Sequence, residues 1–228
     1  MRYIFVAGTD TDIGKSVVTG LLARRLLDNG HSVVTQKWVG TGCSRASNDI
    51  DAHLKFMGKS RGDFRGYLQS MMPHIFKFPS SPHLAARLAK RRIDLARIKG
   101  SLKKLSKDFN SVIIEGTGGL LVPLDEKTLL IDVVKSLRLP VILVAPNRLG
   151  TINHTLLSIE ALRMRKIKII GIIFNNTSKK ENRIVLRDNP KIVEKISGTK
   201  VLGILPWLKD IKAGTGLGWN LKQVWDGI

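Results

Sequence analysis

The sequence predicts an α/β fold, a mainly parallel central sheet with helices on both faces, organised as a single domain over residues 1–228. Three observations lead there. Short apolar runs alternate with longer helix-like segments, the pattern of strands buried beneath crossover helices. The first run, Tyr3-Ile4-Phe5-Val6-Ala7, enters a glycine-bounded loop, Gly8-Thr9-Asp10-Thr11-Asp12-Ile13-Gly14-Lys15-Ser16, and a helix-like stretch from Val17 to Asp28 follows at once. Polar residues also close several of the runs, at the sheet edge where open α/β folds bind ligands.

The elements follow in order. Gly30 stops the first helix, and Val33-Val34-Thr35-Gln36-Lys37 reads as the second strand, with Lys37 at its carboxyl end. Trp38 to Gly42 reads as a loop, followed by a polar stretch to Asp51 and a short helix from Ala52 to Met57. Residues 60–80 read as irregular, with Pro73 and Pro79. Ser81 and Pro82 are placed as N-cap and first position of a helix running to about Arg91. A second helix follows from Asp94 to about Lys107, its lysines outward. Ser111-Val112-Ile113-Ile114-Glu115 is a buried strand ending in an acid, with Gly116-Thr117-Gly118-Gly119 directly after it. Leu129 to Leu137 is helical, Pro140 to Ala145 a strand, and Asn147 to His154 leads into a helix ending near Arg165. Ile167 to Phe174 is a strand closed by Asn175-Asn176. Glu181 to Ile196 is helical, with an interruption expected near Pro190. Val201 to Leu205 is the last strand, and Pro206-Trp207 closes it. The tail from Lys209 holds Gly214, Gly216 and Gly218 without a period.

Composition limits the function classes. Hydrophobic residues make up 43% and charged residues 25%, ordinary for a globular domain. No apolar run is long enough to span a membrane, and the N-terminus lacks the shape of a signal peptide. One cysteine, Cys43, excludes an internal disulfide and fits a reducing, cytoplasmic setting. Lys and Arg number 38 against 18 Asp and Glu, a net charge of +20. That charge invites a nucleic-acid reading, but the positives are dispersed and aromatics, at 6%, are not interleaved with them. A basic solvated surface is the favoured reading.

The first loop carries the chemistry. Strand, glycine-bounded loop, Gly-Lys-Ser and helix is the layout of a phosphate-binding loop. Amides at a helix start have no internal partner and point at an anion. Lys15 would serve the β- and γ-phosphates of ATP, and Ser16 would offer a hydroxyl to Mg²⁺. Five residues separate Gly8 from Gly14, one more than the strict motif allows, and Thr9 stands where its first glycine should be. A strand-terminal acid such as Glu115 holds Mg²⁺ in such proteins or else caps a turn. Asn175 can read an adenine edge or satisfy a strand terminus.

Taken together, these pieces resemble the dethiobiotin synthetase family from Ile4 to Trp207. The resemblance runs through Gly8-Thr9-Asp10-Thr11 with Gly14-Lys15-Ser16, Lys37 with Thr41-Gly42, and Ser81-Pro82-His83. It continues through Glu115-Gly116 with Gly118-Gly119, Leu149-Gly150 with Ile152-Asn153-His154, Asn175, and Gly203 with Pro206-Trp207-Leu208. It implies an ATP-dependent ligase that carboxylates 7,8-diaminononanoate with CO2. One amine forms a carbamate, which attacks the γ-phosphate to give a carbamic–phosphoric anhydride. The second amine then closes the ureido ring, releasing phosphate beside dethiobiotin and ADP. The resemblance further implies Lys37, Lys15 and Thr11 as catalytic residues. ATP would be held by Asp12, Ile13, Gly14, Lys15, Ser16, Glu115, Asn175, Pro206 and Trp207. Ser16, Asp51 and Glu115 would hold Mg²⁺, Asp51 being preferred to Asp49 because an alanine follows it. Thr11, Lys37 and Thr41 would contact the diamine or its carbamate. Gly150, Thr151 and Asn153 would bind the substrate carboxylate from the second subunit of a homodimer.

Three departures from the family stand out: Trp38 after Lys37 where proline is usual, its bulk expected to reshape the wall beside the carbamate site, Thr117 where alanine is usual, and the charge of +20. The alternative is a partitioning-type switch ATPase acting on nucleic acid or membrane. Such proteins carry a lysine near the start of the loop, which here reads Thr9-Asp10-Thr11. An amidating relative would need a glutaminase domain, and a dinucleotide-binding fold would need G-x-G-x-x-G after the first strand; neither is present.

Overall fold

A computed structural model describes residues 2–43 and 48–207. Leu208 and the glycine-bearing tail lie outside the described residues, as does part of the polar stretch before Asp49. The central sheet has six strands in the order β2-β5-β1-β6-β7-β8. They are β1 (Arg2–Gly8), β2 (Val33–Lys37), β5 (Ser111–Glu115), β6 (Val141–Pro146), β7 (Ile169–Asn175) and β8 (Val201–Leu205). Every pairing is parallel. Their apolar runs, such as Ile4-Phe5-Val6 and Val141-Ile142-Leu143-Val144, are buried on both faces, as continuous rather than alternating hydrophobicity requires.

The chain leaves β1 for β2 in one direction and steps from β6 to β8 in the other. Right-handed crossovers then place α1 (Lys15–Asp28) on one face, and α7 (Thr151–Met164) and α8 (Arg183–Ser197) on the opposite one. The remaining helices are α2 (Asn48–Met57), α3 (Leu68–Met71), α4 (Pro82–Leu88), α5 (Leu95–Asp108) and α6 (Leu130–Ser136). Because all strands run the same way, Gly8, Lys37, Glu115, Pro146, Asn175 and Leu205 end at one edge. That edge carries the site.

The structure departs from the expected elements in four places. β3 (Val39–Thr41) and β4 (His74–Phe76) form a separate two-stranded parallel sheet where a loop and an irregular stretch were expected. A 3-10 turn over Arg61–Phe64 and α3 lie between its strands. The helix expected from Ala52 begins at Asn48. α8 continues through Pro190, which cannot donate to the carbonyl of Leu186. The side-chain amide of Asn147 donates to that carbonyl instead, at 2.9 Å, so the carbonyl still has a donor. Trp38 is also not a wall of the ligand edge. Its ring is 1% exposed, lies 5.1 Å from that of Phe5, and donates from Nε1 to Gln36 Oε1.

Candidate active site

Gly14 is the N-cap of α1 at φ 91, a left-handed conformation natural to glycine. Its peptide turns the chain so that α1 opens toward the ligand edge. Asn175 braces the turn from β7: its Nδ2 donates to the carbonyl of Ile13 at 2.9 Å. A Cβ on Gly14 would lie 2.2 Å from that same Nδ2. Gly14→Ala is therefore expected to weaken nucleotide affinity at least about tenfold, since both the backbone conformation and the brace must give way. Fluorescent-nucleotide titration measures this directly.

Lys15 and Lys37 converge beyond the loop. Lys15 is 5% exposed and donates to the carbonyl of Asp10 at 2.5 Å. Burial and the neighbouring Lys37 ammonium hold its pKa down to about 8, so an arriving polyphosphate is the counter-charge this lysine lacks. Lys37 is 4% exposed and richly paired. Its Nζ lies 2.7 Å from Glu115 Oε1, 3.0 Å from Asp49 Oδ2 and 3.1 Å from the Gly116 carbonyl. Burial works against its charge, but Glu115 and Asp49 outweigh it and raise its pKa. The sheet register sets the main contact, because Lys37 and Glu115 are direct partners across β2 and β5.

Glu115 is the hub. Burial alone would raise its pKa; Lys37 and His53 outweigh burial and hold it down to about 2. Ser16 Oγ lies 3.1 Å from both Glu115 Oε1 and Asp49 Oδ1. Asp51, the expected metal ligand, is elsewhere. It is exposed and forms a two-pronged pair with Arg61, at 2.6 and 2.7 Å. Two residues along a helix is more than half a turn, so Asp49 and Asp51 project to different sides of α2. The acid brought to Ser16 and Glu115 is Asp49.

These groups line a cavity of about 550 Å³ together with Thr11, Asp12, Gly14, Thr41, Ser80, Ser81 and Thr117. Thr117 Oγ1 donates to the carbonyl of Val39 at 2.7 Å, tying the β5 loop to β3. Asn175 stands against the loop at the end of β7, and Pro206 and Trp207 follow the end of the neighbouring β8, with Lys179 Nζ 4.6 Å from the Trp207 ring centre. Gly150, Thr151 and Asn153 do not line this cavity. They open α7, where Gly150 caps at φ 86 and Asn153 is exposed. Thr151 is buried, its hydroxyl 3.4 Å from that of Thr155. Cys43 takes no part: burial and Asp49 push its thiol up, away from the reactive thiolate.

Asp49, His53 and Thr117 are the site residues a linear reading misses. Asp49 and His53 stand four apart, on one face of α2, and that spacing is the signal that could have found them.

The donor set fits Mg²⁺. Two carboxylates and a hydroxyl are hard oxygen ligands, and the Lys37 ammonium stands among them as a cation already accommodated. Among the described residues no group of three or more His, Cys, Asp and Glu side chains forms a metal cage.

A parallel sheet, a loop from β1 into α1 and a lysine-serine pair beside a strand-end acid define a P-loop ATP-binding protein. A family model described as an AAA domain matches residues 2–215. Among solved structures, a ParA family ATPase from Chlorobium tepidum superposes with a TM-score of 0.55 at 15% identity, covering 92% of this chain and 85% of that one. The cell division ATPase MinD of Pyrococcus furiosus gives 0.56 at 18%, covering 100% and 88%. At such identities the likeness is one of fold. Sequence relatives are nearer. The ATP-dependent dethiobiotin synthetase of Chlorobaculum tepidum is 44% identical, over 80% of this chain and 76% of that protein. ATP-dependent dethiobiotin synthetase 2 of Haemophilus influenzae is 38% identical, over 82% and 98%. The enzyme of Bacillus subtilis is 35% identical, over 95% and 92%. The chain belongs to the ATP-dependent dethiobiotin synthetase family.

Proposed function

We propose that this chain performs the family's reaction at the cavity between the phosphate loop and the ends of β2 and β5. The reaction is the ATP-dependent carboxylation of 7,8-diaminononanoate with CO2, closing a ureido ring. The single observation that carries the assignment is the pair of buried lysines. Lys15 stands in the loop and Lys37 opposite it, with Ser16, Asp49 and Glu115 between them. Phosphoryl transfer needs positioning and charge neutralisation more than covalent help. Two cations flanking a transferring phosphoryl group supply that.

Each residue has one task. Asp12, Ile13, Gly14 and Lys15 hold the triphosphate through loop amides and the Lys15 ammonium. Ser16, Asp49 and Glu115 would hold Mg²⁺, which would supply positive charge to offset that of the phosphates. Lys37 faces the carbamate and the phosphoryl group it attacks. Thr11 and Thr41, both on the cavity wall, hydrogen-bond the diamine or its carbamate. Asn175, with one donor engaged by Ile13, keeps its Oδ1 to accept from the adenine amine, and Pro206 and Trp207 flank the base.

The substrate carboxylate is assigned to Gly150, Thr151 and Asn153 of a second copy, in a homodimer. Support comes from the face that α7 exposes: Leu149, Leu157, Met164 and the nearby Leu121 are apolar and open to solvent. Leu157 and Met164 are seven residues apart, on one side of that helix. No helix among the described residues is long and apolar enough to cross a membrane. A single domain in the cytoplasm, using small-molecule substrates, completes the proposal.

The test is coupling. ADP release should require both the diamine and bicarbonate, with either omission leaving under about one-tenth of the full rate. Release that is indifferent to the diamine but stimulated by nucleic acid would support a switch ATPase instead.

A further inference from the structure

His53 is the one group at the site that neither the phosphate loop nor the substrate chemistry accounts for. It lies on α2, is 0% exposed, and sets its Nε2 2.5 Å from Glu115 Oε2. Among the described residues its Nδ1 has no hydrogen-bond partner. Among those residues the ring therefore makes a single polar contact, and that contact is to the hub carboxylate. An ionised carboxylate only accepts, so Nε2 carries the proton and donates.

The other oxygen of Glu115 is differently occupied. Oε1 receives Lys37 Nζ at 2.7 Å and lies 3.1 Å from Ser16 Oγ. The two oxygens have thus been separated by function: Oε2 belongs to His53, and Oε1 faces the cation position shared with Asp49. A carboxylate held at one oxygen cannot rotate about its broad terminal torsion to offer both. The local sequence makes the approach of α2 possible. Gly20 of α1 sits under His53, where a Cβ would lie 3.0 Å from the His53 carbonyl, 3.1 Å from its Cα and 2.7 Å from Phe56 Cβ.

The geometry points to His53 as a positioning residue that fixes Glu115 so that only Oε1 is presented to the metal of the nucleotide complex. This deepens the proposed function, because it takes Ser16, Asp49 and Glu115 as the metal-binding set. His53 touches neither substrate nor metal; it acts through Glu115. Outer-shell partners of metal ligands typically contribute about 10–100-fold in metal affinity or activity. His53→Gln should retain the contact, since its amide nitrogen can reach where Nε2 stands. His53→Leu removes it at similar bulk.

The probe is Mn²⁺, titrated by electron paramagnetic resonance into the full chain saturated with a non-hydrolysable ATP analogue. His53→Leu should weaken Mn²⁺ binding about 10–100-fold, His53→Gln by less than about threefold, and neither should change the KM for the diamine. Thermal unfolding checks that each variant is folded. Should His53→Leu fail to fold, His53→Asn supplies the contrast, a donor one methylene too short. Equal Mn²⁺ affinity in folded wild type and His53→Leu, or in wild type and His53→Asn, would overturn the inference. So would a folded His53→Gln as weak as His53→Leu, which would mean packing alone. Wild-type chain whose Mn²⁺ affinity depends on His53 yet which makes no dethiobiotin would sink the proposed reaction and leave this inference standing.

Discussion

Lys37→Ala should lower kcat by about 10²–10³, or about 2.7–4 kcal/mol of transition-state stabilisation, while nucleotide affinity changes only a few-fold. The expectation follows from where the ammonium is fixed. Lys37 ends β2 in register with Glu115 and is held by three acceptors, so its charge is placed before substrate arrives. Its pKa is raised, so the charge is permanent at neutral pH. Preorganised charge acts where charge develops, and a carbamate attacking a phosphoryl group develops it opposite Lys15. Single-turnover kinetics separate the chemical step from binding. A variant that loses ATP affinity but keeps its chemical step would contradict this role.

Glu115→Gln should cost about 3–5 kcal/mol of stability at neutral pH, toward the lower end because Asp49 remains beside Lys37. The amide oxygen could accept from only one of the Lys37 ammonium and the His53 Nε2, its NH2 would face the other, and the buried cation would lose its main counter-charge. For a chain of this length that is roughly 6–20 °C in Tm. The pH dependence has a definite sign. Glu115 is held below its unfolded value of 4.5, at about 2. Its contribution is therefore fully present above about pH 4.5 and disappears as pH falls through 2. Urea unfolding of the two proteins should show a gap that closes along that window. Replacing the pair together, Lys37→Met with Glu115→Leu, should recover much of the stability and none of the activity. Breaking a buried pair is costly, whereas substituting apolar groups for both is often near neutral. A double variant as unstable as Glu115→Gln would show that the hub is structural beyond its charge.

The sheet and the phosphate loop are legible in the sequence for a plain reason. Strands buried on both faces are written as unbroken apolar runs, and the loop lies between one such run and a helix. Lys37 and Glu115 stand at the ends of two of those runs, so their arrival at one edge follows from parallel strands. What escapes is information carried by neither run nor motif. β3 and β4 are three residues each, too short for a period to emerge. Asp49 and Asp51 are both acids near the start of α2, and only the face that buries Ile50, His53 and Leu54 decides which reaches Ser16. Pro190 reads as a helix breaker until Asn147, 43 positions earlier in the chain, takes up the stranded Leu186 carbonyl. Trp38 reads as a bulky neighbour of the carbamate because it follows Lys37; alternation along the chain sends it to the core.

The basic surface is not needed for any of these steps, and nothing in the site draws on it. The account turns on whether the cavity joins CO2 to a diamine at the expense of ATP. The direct measurement is incubation with labelled bicarbonate, 7,8-diaminononanoate, ATP and Mg²⁺, followed by isolation of the ring product. The account predicts label in dethiobiotin, about one per ADP released, lost in Lys37→Ala. ATP hydrolysis without labelled product at saturating diamine would contradict it.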